Sequence, residues 1–165
     1  KASKDRDQIL SYLAKYQNRE ILLWEGKEVS TKSLSVFKKA EVKHFKLPQS
    51  LFLFLDSLKP GKELFLIRLF HKTLGNMEVE LVFFMLVRQI RLLLALSDSN
   101  SNEQIDEVKR LAPWQKGKLQ RQASFFAAKE LKNHFARLYE IDLAQKTGNL
   151  SLSLIQAIDM FLLRL

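Results

Sequence analysis

The stretch V-E-L-V-F-F-M-L-V-R-Q-I-R-L-L-L-A-L, Val79 to Leu96, decides the fold. It approaches the length of a membrane span, yet Arg88, Gln89 and Arg91 sit in its middle, where each charge costs roughly 2.5–3.5 kcal/mol in a bilayer. The stretch therefore reads as one long helix buried in a water-soluble protein, with no membrane partner. A helix that is apolar on most of its circumference needs other elements around it. The rest of the chain has to supply that cover.

Working outward, everything after Pro48 reads as helix. Ser50 is placed to cap a short helix through Leu58, and Pro60-Gly61 marks a turn before a helix over Glu63 to Leu74 that Gly75-Asn76 closes. The greasy helix comes next. The polar run S-D-S-N-S-N, Ser97 to Asn102, reads as the clearest loop in the chain. Asn102 to Leu111 reads as a short helix, and Ala112-Pro113 opens another, with proline in the first turn where its missing N–H costs nothing. The helical pattern then continues to Lys146, Thr147-Gly148-Asn149 stops it through a left-handed residue, and Asn149 or Ser151 caps a last helix to Leu165.

The first 46 residues differ. Asp5 to Tyr16 reads as a helix with Ile9, Leu10, Leu13 and Tyr16 on one face. The runs Ile21 to Trp24 and Val42 to Phe45 are β-prone, with Thr31 to Ala40 helical between them. Two strands joined by a helix are expected to be parallel neighbours, and two strands alone make a poor sheet, so more of it is expected upstream. Lys1 heads the chain without a preceding Met or a following apolar signal core, which also reads as part of a longer protein. The expected fold is mainly α: a helical bundle over residues 47–165, preceded by a small α/β segment over residues 1–46.

Composition agrees with a packed, helix-rich protein. Of 165 residues, 47% are apolar and 27% charged, with only five Gly and three Pro to interrupt helices. There is no cysteine, which excludes disulfides and thiolate metal sites and fits a reducing cytoplasm. The net charge is +9, a surplus that favours an anionic partner such as nucleic acid. Most of it lies before Leu47 and after Asp98, leaving the middle nearly neutral.

No catalytic constellation is visible. Glu25-Gly26-Lys27 lacks the upstream glycine and the hydroxyl residue of a phosphate loop and reads as a plain turn. His44, His71 and His134 have no metal-ligand spacing, so no metal and no cofactor are expected. The segment Lys109 to Lys129 carries Lys109, Arg110, Lys116, Lys118 and Arg121 with no acidic residue between them, which suits DNA phosphates or a solvated basic face equally. Trp114 beside it can stack on a base, fill a groove between subunits or belong to the core. Arg88 and Arg91 share a face and are interface candidates, although stems packed on a bundle edge with heads in water is the plainer reading. Phe52, Phe54, Phe65, Phe70, Phe83 and Phe84 recur at helical spacing and read as core. Asp142 precedes Lys146 by four residues, the favourable order for an architectural ion pair.

The runs L-A-P-W-Q-K-G-K-L-Q-R-Q-A-S-F-F-A-A-K-E-L, Leu111 to Leu131, and Y-E-I-D-L-A-Q-K-T-G, Tyr139 to Gly148, resemble the C-terminal domain of the delta subunit of the bacterial DNA polymerase III clamp loader. The resemblance rests on Pro113 with Trp114, Lys118, Gln122-Ala123, Leu131, Asp142, Lys146 and Gly148, followed by a leucine-rich closing helix. R-Q-I-R-L-L-L at Arg88 to Leu94 and the D-S-L turn at Asp56 extend it. Asp5 to Lys46 is similar to the end of the delta nucleotide-fold domain, with E-G-K and a closing V-K-H-F-K.

That resemblance implies a replication subunit that hydrolyses no ATP. Its helical collar joins motor subunits and delta-prime in a five-membered ring that can meet primer-template DNA. The part that binds the sliding clamp is absent here, as is the small helical lid, and Ala127 stands where a capping serine is usual. A stand-alone basic helical protein that binds nucleic acid is the alternative.

Overall fold

The computed structural model describes residues 4–15, 20–26, 28–35, 37, 40–97 and 105–165. The chain divides into two compact units, Lys1–Lys46 and Leu47–Leu165.

In the first unit, α1 spans Lys4–Leu13 and α2 is a single turn, Thr31–Leu34. Ser30 caps α2, its Oγ accepting from Ser33 N at 3.3 Å. The helix expected over Thr31 to Ala40 is thus confined to its first turn among the described residues. Arg6 and Glu25 pair at 2.5 Å, and the rings of Trp24 and Phe45 lie 6.1 Å apart. The described residues contain no strand. Ile21–Trp24 and Val42–Phe45, expected as parallel strands, have irregular backbone, and Leu22, Trp24 and Phe45 are 92%, 79% and 77% exposed. A β-prone run becomes a strand only with ladder partners and a face to bury, and neither run has them here.

The second unit is helical. Its elements are α3 Gln49–Asp56, α4 Glu63–Leu74, α5 Val79–Ser97, α6 Asp106–Lys109, α7 Pro113–Ala123, α8 Ala128–Lys146 and α9 Leu154–Leu162. The helix α5 packs on all six others, most extensively on α7 and α8. It buries Val82, Phe83, Leu86, Ile90, Leu92 and Leu93, a broad stripe that recurs every three or four residues. Phe54 and Phe70 meet at 5.8 Å, and Leu131, Leu138 and Phe161 are fully enclosed. Only Phe54, Phe70 and Phe83 of the six phenylalanines expected inside are buried, whereas Phe52, Phe65 and Phe84 are exposed. At helical spacing these three fall on the outer sides of α3, α4 and α5.

Helix ends follow local chemistry, with three corrections. Ser50 is not a cap: α3 already begins at Gln49 after Pro48, and Ser50 Oγ is buried inside the helix without a hydrogen-bond partner. The expected continuous helix through Lys146 breaks at Ser124 to Ala127, where Glu130 reaches back to accept from Ala127 N at 2.8 Å. This supplies the carboxylate half of a capping box where the hydroxyl is missing. The last helix starts later than expected, with Ser153 as its cap: Ser153 Oγ accepts from Gln156 N and Gln156 Oε1 from Ser153 N. Gly148, at φ 72°, closes α8 through Asn149 N to Ala144 O at 2.8 Å and Gly148 N to Gln145 O at 3.3 Å. A side chain with a Cβ resists that left-handed turn. The loop residues 98–104, with the start of the expected Asn102 to Leu111 helix, lie outside the described residues; the described part of that helix is the single turn of α6. Among the described residues no helix is long and apolar enough to cross a membrane.

Among the described residues three buried polar side chains sit inside this packing: Thr73, whose Oγ1 donates to Leu69 O at 2.8 Å, Gln89 and Gln122. Gln89 on α5 donates to Gln122 Oε1 at 2.7 Å, and Gln122 Nε2 donates to the carbonyls of Leu55 and Leu58 at 2.7 and 3.1 Å. One amide pair thereby satisfies the carbonyl end of α3 and fixes α7 against α5. Replacing Gln122 with Leu strands these groups and is expected to cost about 1–3 kcal/mol in urea denaturation, whereas replacing both glutamines is expected to cost less than the two single changes summed.

His134 on α8 stands edge-on between Phe126 and Phe161, with centroids at 6.2 and 5.7 Å. Burial pushes its pKa below the ordinary value of 6.5; Glu130 opposes this and Arg137 adds to it. The unfolded chain binds the proton more readily, so the contribution is complete above pH 6.5 and declines as pH falls toward the folded pKa. Thermal melts from pH 7.5 down to 5 are expected to show a smaller acid-induced loss of Tm in His134→Phe than in the unaltered chain.

Candidate functional site

The greasy helix exposes one seam. Leu81, Phe84, Arg88 and Arg91 succeed one another at spacings of three and four, so they share a face of α5. Leu81 and Phe84 are exposed, and the two arginines are half-exposed. Glu107 on α6 takes both: Arg88 Nε donates to Oε1 at 2.6 Å and Arg91 to Oε2 at 2.5 Å. Beside it Val108 is buried in the core. A four-residue helix cannot hold itself together, so Glu107 and Val108 together anchor α6 to α5.

This anchor sets where the basic segment emerges. Lys109 pairs with Asp106 at 3.2 Å, and Arg110 lies in the next turn. Pro113 is the first residue of α7, and Gln115 Oε1 accepts from Ala112 N at 3.1 Å. Trp114 then stands 69% exposed, which rules out the core position. Along α7, Lys118 and Arg121 come four and seven residues after Trp114 and share its face, whereas Lys116 lies about 200° around the helix. Lys118 reaches Asp56 at the end of α3, 2.5 Å away, so with Lys109 two cations of the segment already have carboxylate partners. Among the described residues Arg110 and Arg121 have no ion pair.

Asp142 and Lys146 sit apart from this face, near the end of α8. Lys146 donates to Asp142 Oδ2 at 2.6 Å, with Asp142 half-exposed. Gly148 is the stop of the helix. Among the described residues no three His, Asp or Glu side chains converge as a metal site.

Several participants escaped sequence reading. The glutamine pair was signalled only by Gln89 inside an apolar run. His71 on α4 reaches both carboxylate oxygens of Asp159 on α9 at 3.0 Å, across 88 positions of sequence. Asp56 at the end of α3 and Lys59 in the turn that follows lie beside Lys118 and Phe125 only because the bundle folds them there. No local pattern announces such pairs.

With this bundle in view, residues 49–165 match the family described as DNA polymerase III delta subunit, C-terminal domain. The chain belongs to this family. No curated protein and no solved structure matches it. The delta-family match starts at the first residue of α3 and runs through α9, covering every helix that packs around α5. Membership places the chain among the accessory clamp-loader components of DNA replication, in association with other DNA polymerase III components.

Within this delta-family domain, Glu107→Ala releases two arginines and loosens the anchor of α6. Hydrogen exchange at residues 106–111 is expected to speed up several-fold, while global stability falls by no more than about 1 kcal/mol, since all three groups are partly solvated.

Proposed function

We propose that residues 47–165 form the collar through which a delta-type subunit, without catalysis of its own, joins the motor subunits and delta-prime in the cytoplasm. The observation that carries this is the exposed seam of α5, where Leu81 and Phe84 continue into Arg88 and Arg91 on a helix otherwise sealed in the core. Apolar side chains flanked by arginine are the usual anchors of a protein interface. Trp114 is the second anchor. Pro113, Asp142, Lys146 and Gly148 serve the architecture. The sliding clamp is engaged by parts of the subunit other than these helices, and the β-prone runs of residues 1–46 are read as the edge of a larger α/β layer, which their exposed Leu22, Trp24 and Phe45 favour.

The same reading lets Lys109, Arg110, Lys118 and Arg121 lie along primer-template DNA, whereas Lys116, about 200° around α7 from Trp114, is left out of that contact. The net charge of +9 and the stripe on α7 support it. A stand-alone basic nucleic-acid-binding protein is the competing reading, and one experiment separates them. The chain is mixed with motor subunits and delta-prime, and separately with primed DNA, at low and high salt. A complex that survives high salt and is weakened at least tenfold by Phe84→Glu is the expected result; strong salt-sensitive DNA binding with no protein complex would favour the alternative. If four phosphates are engaged, log K is expected to fall with log salt at a slope of about −3.6, and Arg121→Ala to make it shallower by about 0.9.

A further inference from the structure

The α7 stripe does not stop at Arg121. Phe125 comes eleven residues after Trp114, about three helical turns, and returns to the same side. The C-cap Ser124 keeps right-handed helical angles and Phe125 N bonds to Gln122 O at 3.2 Å, so the turn carries Phe125 on from the helix. Its ring is 57% exposed, and Lys59 from the α3–α4 turn places its ammonium 5.5 Å from the ring centroid. The face thus runs tryptophan, lysine, arginine, phenylalanine, lysine, with Asp56 neutralising Lys118 midway.

We propose that Phe125 and Lys59 form a base-stacking site for single-stranded nucleic acid, extending the path along α7; this rests on the nucleic-acid contact put forward above. A duplex offers side chains its phosphates and base edges, while its base faces are covered by neighbouring pairs. Two exposed rings on one stripe have no partner there. An unpaired strand presents free faces to Trp114 and Phe125 and phosphates to Arg121 and Lys59. The stripe is about 16 Å long, room for about five nucleotides at the ~3.4 Å spacing of a stacked strand. Lys59, whose ammonium lies over the Phe125 ring, sets a cation within reach of the phosphate of a nucleotide bound at that ring.

The test measures binding of the full chain to fluorescent oligo(dT), oligo(rU) and a DNA duplex of equal length at low salt. Tighter binding of the single strands is expected, with Phe125→Ala weakening them about tenfold, Phe125→Trp restoring them, and Lys59→Ala weakening them a few-fold. Duplex affinity should stay within about twofold in these variants, as should every affinity in a Lys132→Ala control on α8. The two single strands report whether DNA or RNA is preferred. If Phe125→Ala leaves single-strand affinity unchanged while Arg121→Ala lowers it, the stacking site is wrong and the nucleic-acid contact stands. No binding to any of the three removes both.

Discussion

Burying α5 is the constraint on which the second unit depends. Nineteen residues with apolar side chains on most sides cannot face water, and the arginines and Gln89 along the helix exclude a lipid surrounding. The remaining solution is a protein sheath, and α3, α4, α7, α8 and α9 supply it. The order of the helices along the chain reflects this need. Short connections return each helix to the same central rod, and α9 closes the sheath with Ile158, Phe161 and Leu162.

Two polar pairs, one buried and one nearer the surface, tie helices of the sheath together. Gln89 and Gln122 settle the carbonyl end of α3, and His71 joins Asp159 between α4 and α9. Apolar contact tolerates sliding, whereas a hydrogen bond between two buried amides does not, so these pairs define the register in which the helices lock. Glu107 does a related task at the surface. By holding two arginines of α5 it fixes the segment that leads into Pro113, and hence the direction in which Trp114 and the α7 stripe face solvent.

Function arises from the surfaces that the sheath leaves uncovered. One strip of α5 and one face of α7 keep large apolar and basic side chains in water. Under the collar proposal, these are the faces assigned to neighbouring subunits and nucleic acid. The same rigid bundle therefore serves architecture and contact together.

Local chemistry was legible in the sequence itself. The helix over Glu63 to Leu74, the greasy helix, proline at the start of α7 and the left-handed Gly148 are all consequences of side-chain period and backbone sterics over a few residues, as is the Asp142 to Lys146 pair. The delta-type resemblance was legible for the same reason: its motif is carried by short spacings. What the sequence could not decide is which side of each amphipathic surface meets a partner. Phe52, Phe65 and Phe84 have the same period as their buried neighbours, and only packing sorts them. Ser50 looked like a cap until Pro48 placed the helix start ahead of it. The strand-prone runs before Leu47 needed ladder partners that local preference cannot provide. Pairs such as Lys59 with Phe125 and Lys118 with Asp56 join residues more than sixty positions apart, and they exist only because burying α5 brings α3 and α7 together.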